Sequence, residues 1–320
     1  MSTGGIYRLG SQARYPGRPS ITVVGCGGAG CNMLARATER GWELGHHVAV
    51  NTDAQHLLST CADSKVLLGR GTTGGRGANN DLATGEAACR ESHGNLGSVI
   101  AEADIVVILA GQGGGTGSGA APVVAEIARG RGSMAISLST IPFSVEGTTR
   151  RDNARVGSEN LARASDVSMV LPNDQLLEAS PGLSLVEAFK AADEALLEPV
   201  LLLQRMLTRD DLARLRTALS GAGTAHMGSG GSNRRRGFGR AIDEALSSLY
   251  PPASPRECGR AVVLFHTGPE GPDETVMGEM ARTVHLSMGP MARTLWGVHR
   301  SGPMGDRLRT VVLMAPSPKR

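Results

Sequence analysis

The residues best suited to chemistry form a glycine-rich loop, Gly113–Gly119, which follows the apolar run Ile105–Ala110. Glycine has no Cβ, so its backbone N–H groups can approach an anion closely and its φ angle can be positive. The apolar run predicts a buried parallel strand, and Pro122 suits the first turn of a following helix. A helix N-terminus that faces free amides binds phosphate. The loop therefore predicts a phosphate site, although no lysine follows its last glycine as a P-loop requires.

A second glycine pattern, G-x-G-x-x-G, occurs near the N-terminus and is formed by Gly25, Gly27 and Gly30. It follows the predicted strand Ile21–Val24, and a helix is predicted from Met33 to about Arg40. Strand, glycine loop and helix in this order are typical of a dinucleotide-binding unit.

The next predicted strand, His47–Val50, ends at Asn51 and Asp53. A dinucleotide-binding fold uses a carboxylate about 20 residues beyond its third glycine to bind a ribose. An NAD-dependent Rossmann dehydrogenase is therefore one interpretation of this half of the chain. That interpretation is weakened by Gly113–Gly119, because a dehydrogenase needs no second phosphate-binding loop after a later strand.

Composition argues against several other classes of protein. The net charge of +3 gives no reason to expect nucleic acid binding. No apolar run reaches the roughly 18 residues that span a bilayer, and Met1–Ser20 lacks the apolar core of a signal peptide. We expect residues 1–20 to be a flexible tail. The five cysteines are odd in number and lack a second pair at zinc spacing, which favours reduced thiols, a cytoplasmic protein and no protein-bound metal site.

The loop G-G-G-T-G-S-G, read in this order, resembles the signature of the tubulin/FtsZ superfamily. The residues that follow it, Ala120–Ala128, are similar to the bacterial FtsZ side of that family. Ala49–Gln55 spell out the A-V-N-T-D-A-Q that the resemblance predicts after the second strand. Leu68–Asn80 occupies the next nucleotide loop, where Ala78–Asn80 stands in for an alanine–glycine run. The resemblance implies a GTP-binding cytoskeletal protein, a divergent bacterial or archaeal homologue of FtsZ.

The same resemblance implies roles for residues after two later strands. Glu146 and Arg150, which follow the predicted strand Ser133–Thr140, are expected beside the ribose and the phosphates. Asn173 follows the predicted strand Val167–Leu171, and its amide is expected to read a purine edge.

Phe189 and Asp193 are four residues apart and so share one face of a predicted helix. By resemblance, Phe189 packs on the guanine and Asp193 accepts hydrogen bonds from its N1 and N2, a donor pair that adenine lacks. The predicted contacts to GTP or GDP are Gly27, Gly28, Ala29, Gly30, Asn32, Asn51, Asp53, Ala78, Gly114, Gly115, Thr116, Gly117, Glu146, Arg150, Asn173, Phe189 and Asp193.

The alternation of strands, helices and glycine loops predicts an α/β fold. We expect a doubly wound, Rossmann-like GTP-binding domain at 21–182, and a central helix at 183–207 that Pro199 kinks or breaks. A smaller α+β activation domain is expected at 208–316, followed by a short tail at 317–320. FtsZ proteins usually have a disordered linker and a peptide that binds membrane tethers, and we expect residues 317–320 to serve as neither. The elements predicted in the smaller domain are helices Arg240–Leu249 and Glu274–Met288, and strands Ala261–His266, Thr294–His299 and Leu308–Met314.

Family members hydrolyse GTP across a subunit contact, where an N-x-D-F-x-D-V loop of one subunit enters the site of the next. The matching segment here is Arg209–Leu215, in which Asp211 keeps the first acid and Arg214 replaces the second. Asp210, Asp211 and Arg214 are the candidate catalytic residues. A cation in place of a carboxylate should favour phosphate binding and disfavour water activation, which predicts slow hydrolysis. An arginine finger is the alternative role for Arg214.

Three functional hypotheses follow. The first is a GTPase, with Mg²⁺ as an expected cofactor, that assembles head to tail into open filaments during cell division or cell-shape organisation. The second is a GTP-binding regulatory partner of a co-resident FtsZ that forms no filaments, and the third is the NAD-dependent enzyme. Membrane contact is expected only through an adaptor, or weakly through Arg234–Arg236, since each arginine near an anionic surface contributes about 1 kcal/mol.

Overall fold

The computed structural model describes residues 5–9, 17–175, 182, 184–289 and 291–316. The expected tail at 317–320 and the expected first residue of the central helix, Leu183, lie outside these ranges. The chain divides into two compact units, one of Ser20–Leu201 and the other of Met1–Pro19 with Leu202–Arg320. Across the described ranges, none of the helices has the combination of length and hydrophobicity that a bilayer crossing requires.

The elements are numbered along the described chain. The strands are β1 (Gly5–Arg8), β2 (Ile21–Cys26), β3 (His46–Asn51), β4 (Ser64–Leu67), β5 (Ile105–Gly111), β6 (Met134–Ile141), β7 (Val167–Pro172), β8 (Gly223–Thr224), β9 (His226–Asn233), β10 (Cys258–Thr267), β11 (Arg293–Arg300) and β12 (Arg307–Pro316). The α-helices are α1 (Gly27–Glu39), α2 (Ala54–Ser59), α3 (Arg70–Thr73), α4 (Leu82–Glu91), α5 (His93–Val99), α6 (Gly115–Gly130), α7 (Thr148–Ala164), α8 (Leu185–Met206), α9 (Arg209–Leu219), α10 (Arg240–Ser247) and α11 (Glu274–Met288). Short 3-10 helices lie at Ser144–Glu146, Pro255–Glu257 and Gly302–Met304.

The first unit is built on a parallel sheet in the order β4-β3-β2-β5-β6-β7. Every residue of β2 is buried, as is Ile105–Ala110 of β5, because helices cover both faces of a parallel sheet. The strand order reverses between β2 and β5, and ligands bind at such a switch point, beyond the carboxyl ends of the strands. The two glycine loops follow these two strands. The doubly wound α/β prediction is confirmed.

All strands predicted for this unit are present, with ends that differ by at most a few residues, but two helix starts were wrong. Helix α1 begins at Gly27 and not at Met33. Helix α6 begins at Gly115, inside the glycine loop, so Pro122 lies in the helix interior and not in its first turn. Glycine at both positions lets the helix start next to the strand end, where a Cβ would meet backbone atoms. Residues 68–80, expected as loop throughout, contain the one-turn helix α3.

The second unit contains a mixed sheet in the order β1-β11-β10-β12-β9. Helices α10 and α11 pack on one face of this sheet, around a core that includes Phe265, Met277 and Trp296. Residues Gly5–Arg8 pair in parallel with Arg293–Trp296, so the expectation of a flexible tail over residues 1–20 is wrong for this stretch. The edge of β11 offers unpaired backbone groups, and these four residues satisfy them.

The structure contradicts two further expectations, that of a break in the central helix at Pro199 and that of a loop at Arg209–Leu215. Helix α8 continues through Pro199 without a break, and it carries the buried residues Leu196, Leu197 and Val200 around that position. Packing of an apolar face supplies most of a helix's stability, which outweighs the one hydrogen bond that proline removes. The segment Arg209–Leu215, expected as a loop, forms the start of helix α9.

Candidate nucleotide-binding site

The loop after β5 presents backbone amides at the start of helix α6. Gly114 is the N-cap residue, with φ −90° and ψ 160°, and a Cβ added to it would meet no atom within 4 Å. The N–H of Gly113 donates to Ser118 Oγ at 2.8 Å, which fixes the loop from within. The first turn of the helix thus offers N–H groups of residues 115–117 beside open space at Gly114, the arrangement that binds phosphate.

The loop after β2 meets the first loop. Gly27 has φ +69°, and a Cβ there would lie 2.8 Å from the backbone N of Gly117. A Cβ on Gly30 would lie 2.2 Å from the carbonyl oxygen of Leu109. Both glycines are therefore required for packing between the two loops and between α1 and β5.

One cavity of about 510 Å³ lies beyond these strand ends. Every predicted nucleotide contact lines it except Gly27 and Gly30, which pack closely against Gly117 and Leu109 respectively. The residues that line it without having been predicted are Met33, Arg36, His56, Arg76, Gly77, Asn79, Asn80, Gly111, Gln112, Thr140 and Pro142. Their positions beside the predicted residues, on the same loops and helices, are the only sequence signal for most of them.

The end of β3 holds its polar side chains in a local network. Asn51 Oδ1 accepts from the backbone N–H of Asp53 at 3.2 Å, and Asp53 Oδ1 accepts from the N–H of His56 at 3.0 Å, which caps α2. The hydroxyls of Thr52 and Thr116 lie 2.7 Å apart. This contact joins the end of β3 to the first turn of α6.

The departure from the family pattern at Ala78–Asn80 has a conformational explanation. Asn79 and Asn80 have φ angles of 48° and 60°, in the left-handed region that glycine normally fills. Asparagine is the side chain that tolerates this region best, so the two residues keep the backbone path of the expected glycine. Asn153 Nδ2 donates to Asn80 O at 2.8 Å and supports the loop.

Glu146 and Arg150 form an ion pair at i and i+4, and both line the cavity. Glu146 Oε1 also accepts from the N–H of Phe143 at 2.8 Å. The Arg150 side chain is 43% exposed and the Glu146 side chain 26% exposed, so the pair lies at the mouth of the cavity where its charges reach solvent.

The far end of the cavity is suited to a flat base. The rings of Phe189 and Phe143 pack edge to face, with centroids 5.6 Å apart. Asn173 is 5% exposed, and within the described residues its Oδ1 has no hydrogen-bond partner although it is buried. Buried polar atoms are normally satisfied, so an unpartnered oxygen on a cavity wall indicates a ligand contact.

Asp193 and Arg36 form a bidentate ion pair at this end of the cavity, with Nη2 of Arg36 3.1 Å from Oδ1 and its Nε on Oδ2. Burial raises the pKa of the Asp193 carboxyl above its usual value, while Arg36 and Arg40 act to lower it. Arg36 was missed in the sequence. It lies four residues after Asn32, on the same face of α1, and that spacing was a usable signal.

The candidate catalytic residues lie in the second unit, at the start of α9. Asp211 is 2% exposed, and its Oδ2 accepts from Thr208 Oγ1 at 2.7 Å and from Thr208 N at 3.1 Å. This is a capping box, which explains why the segment is helical. Arg214 is exposed, with its Nη1 3.7 Å from Asp211 Oδ1 and its guanidinium 6.0 Å from the ring centroid of Tyr7. Asp210 is half-buried.

The fold and the cavity define a nucleotide-binding α/β protein with two glycine loops at the switch point of its sheet. Residues 20–181 match the family model described as "Tubulin/FtsZ family, GTPase domain". The chain is 38% identical over 299 residues to Cell division protein FtsZ 1 of Pyrococcus furiosus, covering 92% of this chain and 80% of that protein. It is 37% identical over 303 residues to FtsZ 1 of Methanocaldococcus jannaschii, covering 93% and 83%.

The solved FtsZ dimer of M. jannaschii superposes with a TM-score of 0.82 at 36% identity, covering 93% of this chain and 88% of that one. CetZ2 of Haloferax volcanii, at 23% identity and a TM-score of 0.77, shares the fold. The chain belongs to the Tubulin/FtsZ family and carries its GTPase domain. This assignment decides against the dehydrogenase that the G-x-G-x-x-G pattern left open.

Proposed function

We propose that the cavity binds GTP and GDP, with the phosphates on the two glycine loops and the base at the far end. The observation that carries this proposal is that residues predicted from seven separate stretches of sequence line a single cavity. The open space at Gly114, beside the first turn of α6, suits phosphate oxygens. Mg²⁺ would be held mainly through those oxygens and water, its usual manner of binding with phosphates.

At the base end, Phe189 stacks on guanine and Asp193 accepts from N1 and N2. The carboxylate is buried, so each hydrogen bond to it is charge-assisted and worth about 1.5–3 kcal/mol. Among the residues that the structure describes, none is hydrogen-bonded to Asn173 Oδ1, which supports a further contact between this amide and the purine.

The protein assembles head to tail, so that the α9 end of one subunit completes the nucleotide site of the next. The M. jannaschii FtsZ relative was solved as a dimer, and the relatives are named as cell division proteins. A head-to-tail contact is heterologous and leaves an open filament. We place the filament in the cytoplasm, in cell division or cell-shape organisation, with membrane contact made through an adaptor or weakly through the exposed Arg234–Arg236.

Hydrolysis in this filament is slow. Of the two acidic positions in the contact segment, Asp211 is kept and the other is Arg214, which lies within ion-pair distance of Asp211. A guanidinium in place of the second acid removes one carboxylate that could activate water, and its positive charge attracts the γ-phosphate. The same observation favours a second candidate, a regulatory partner that binds GTP and joins a co-resident FtsZ without forming filaments of its own.

Two measurements test the proposal. Asp193→Ala should lose most of its GTP affinity and its preference for GTP over ATP, in binding assays that also include NAD. Pelleting and negative-stain microscopy with GTP and with a non-hydrolysable analogue should give filaments. Binding of GTP without filaments under either nucleotide would favour the regulatory partner, whereas unchanged GTP selectivity in Asp193→Ala would remove the base assignment.

A further inference from the structure

The Arg36 guanidinium donates to both oxygens of the Asp193 carboxylate, which is the group expected to accept hydrogen bonds from the base. The two residues are 157 positions apart in sequence, and they join α1 to α8. The Asp193 side chain is 7% exposed and the Arg36 side chain 26% exposed, so the acid is enclosed while the guanidinium has a path to solvent. Both line the same cavity, at the end that also holds Phe189.

A guanidinium and the N1–N2 edge of guanine offer the same pattern to a carboxylate, two parallel N–H donors in one plane. A carboxylate that accepts both donors of one partner in this fork cannot do so for the other at the same time. We propose that Arg36 competes with the guanine base for Asp193, and that this competition lowers the affinity of the cavity for guanine nucleotides and thereby limits its preference for GTP over ATP. The inference rests on the proposed GTP site and adds a specificity-determining residue to it.

Binding of guanine exchanges the hydrogen bonds between Arg36 and Asp193 for hydrogen bonds between the base and Asp193. An unpaired carboxylate at this depth would be costly, so the Arg36 fork stabilises the site whenever no base contacts Asp193. Guanine replaces two charge-assisted hydrogen bonds with two others, and Arg36 can move toward water. Adenine offers a donor at N6 beside an acceptor at N1, so it cannot replace the fork. Adenine therefore leaves the Arg36 fork in place, so only the binding of guanine includes the cost of opening this pair, and removing Arg36 lowers that cost for GTP alone.

The chain provides a matched control on the same two helices. Arg40 lies one turn after Arg36 on α1 and pairs with Glu194, the residue that follows Asp193. The Glu194 side chain is 53% exposed and that of Arg40 30% exposed, and neither residue lines the cavity. Removing Arg40 deletes an arginine and an ion pair between the same helices, but leaves the fork on Asp193.

The experiment compares Arg36→Ala and Arg40→Ala in the full chain, with a fluorescent GTP analogue as the probe and ATP as the competitor. Arg36→Ala should bind the GTP analogue about 5- to 150-fold more tightly, the usual range for coupling between two binding events, with no gain for ATP. Arg40→Ala should stay within about twofold of the parent, since exposed pairs contribute little. Weaker GTP binding in Arg36→Ala, or equal gains for GTP and ATP, would overturn the inference.

Thermal unfolding gives a second readout that separates competition from misfolding. Without nucleotide, Arg36→Ala should unfold at a lower temperature than the parent and than Arg40→Ala, because Asp193 is left without its fork. Saturating GTP should remove most of that difference, since guanine takes over the carboxylate. A deficit of the same size with and without GTP would contradict the exchange.

Failure of the inference can be told apart from failure of the proposed site. If Asp193→Ala keeps its preference for GTP, Asp193 does not read the base and both proposals fall. If Asp193→Ala loses that preference while Arg36→Ala gains no GTP affinity, the site stands and only the competition is wrong.

Discussion

The hydroxyl groups of Thr52 and Thr116 lie 2.7 Å apart in the interior of the first unit. Thr52 is fully buried at the end of β3, and Thr116 is 9% exposed in the first turn of α6, where it lines the cavity. The contact joins two segments that are 64 residues apart in sequence. It fixes the position of the α6 amides relative to the loop that carries Asn51 and Asp53.

We expect Thr52→Val to weaken GTP binding although Thr52 does not line the cavity. Valine keeps the shape of threonine but leaves the Thr116 hydroxyl without its buried partner, which should cost about 1 kcal/mol of unfolding free energy. Denaturant unfolding and GTP affinity should be measured together. Thr116→Ser keeps the hydroxyl pair and serves as the control. GTP affinity equal to that of the parent in Thr52→Val would mean that the contact is only structural.

The position that tests the phosphate loop best is Gly114, because it lines the cavity and a Cβ added there would meet no protein atom within 4 Å. Its extended backbone accepts any residue, so Gly114→Val should fold normally. GTP affinity should fall by more than about tenfold, since each charge-assisted hydrogen bond lost costs about 1.5–3 kcal/mol. Gly117 is a poorer choice, because its Cβ would lie 2.3 Å from the carbonyl oxygen of Gly111 and would disturb the fold.

Gly130→Val is the matched control for this test. Gly130 is the last residue of the same helix, and a Cβ there also meets no atom within 4 Å. The control should bind GTP as the parent does. Tight GTP binding by a folded Gly114→Val would show that the phosphates do not lie on this loop.

Local patterns predicted the first unit well because the features that position its site are local in sequence. Within about fifteen residues the sequence contains both signals: the apolar run Ile105–Ala110 predicts a strand, and the glycines after it predict an anion-binding loop. The helix starts at Gly27 and Gly115 could not be predicted, because glycine is more typical of helix ends. Glycine is needed at both positions because backbone atoms of other segments lie too close for a Cβ. The pair Thr208 and Asp211, three residues apart, has the spacing of a capping box and is itself a sequence signal for a helix start.

Contacts between distant residues could not be predicted in this way. Arg36 has no partner within its own stretch of sequence, and its role depends on the meeting of α1 with α8. The strand at Gly5–Arg8 is similar, since it forms only because β11 offers an edge nearly 290 residues later. Propensity and periodicity carry no information on such pairings.

The second unit should lose stability when the pH is lowered, through His266. Burial lowers the pKa of His266 from 6.5 to about 4, as do His299, Arg205, Arg309 and Arg307 around it. Below about pH 6.5 the unfolded chain binds a proton at this histidine while the folded chain does not, so acid favours unfolding across that window. His266→Gln keeps a partner for Ser301 Oγ, which lies 2.8 Å from the imidazole, and should flatten the dependence of unfolding free energy on pH between about 6.5 and 4.

The measurement is denaturant unfolding at several pH values in that window. The same exchange at the exposed His93 controls for the loss of an imidazole in general. A slope that is as steep in His266→Gln as in the parent would assign the acid sensitivity to other groups.

The contact segment should separate GTP binding from GTP hydrolysis. Arg214 Nη1 lies 3.7 Å from Asp211 Oδ1, so the guanidinium is drawn toward the one acid that the segment keeps. We expect the parent to bind GTP, to turn it over slowly and to form long-lived filaments. Arg214→Asp should raise the rate of phosphate release and shorten filament lifetime, and Arg214→Ala should give a smaller rise because it removes the cation without adding an acid.

Asp211 needs a different variant, because it also caps helix α9 through Thr208. Asp211→Asn keeps an oxygen that can accept from Thr208 but removes the charge, so it should abolish the remaining hydrolysis while the helix persists. Thr208→Ala removes the hydroxyl and keeps the carboxylate, at a cost of about 1 kcal/mol of stability, and should retain turnover.

Phosphate release must be measured against protein concentration, since a site shared by two subunits turns over only after they meet. Rapid turnover in the parent that falls in both Arg214 variants would instead identify Arg214 as an arginine finger.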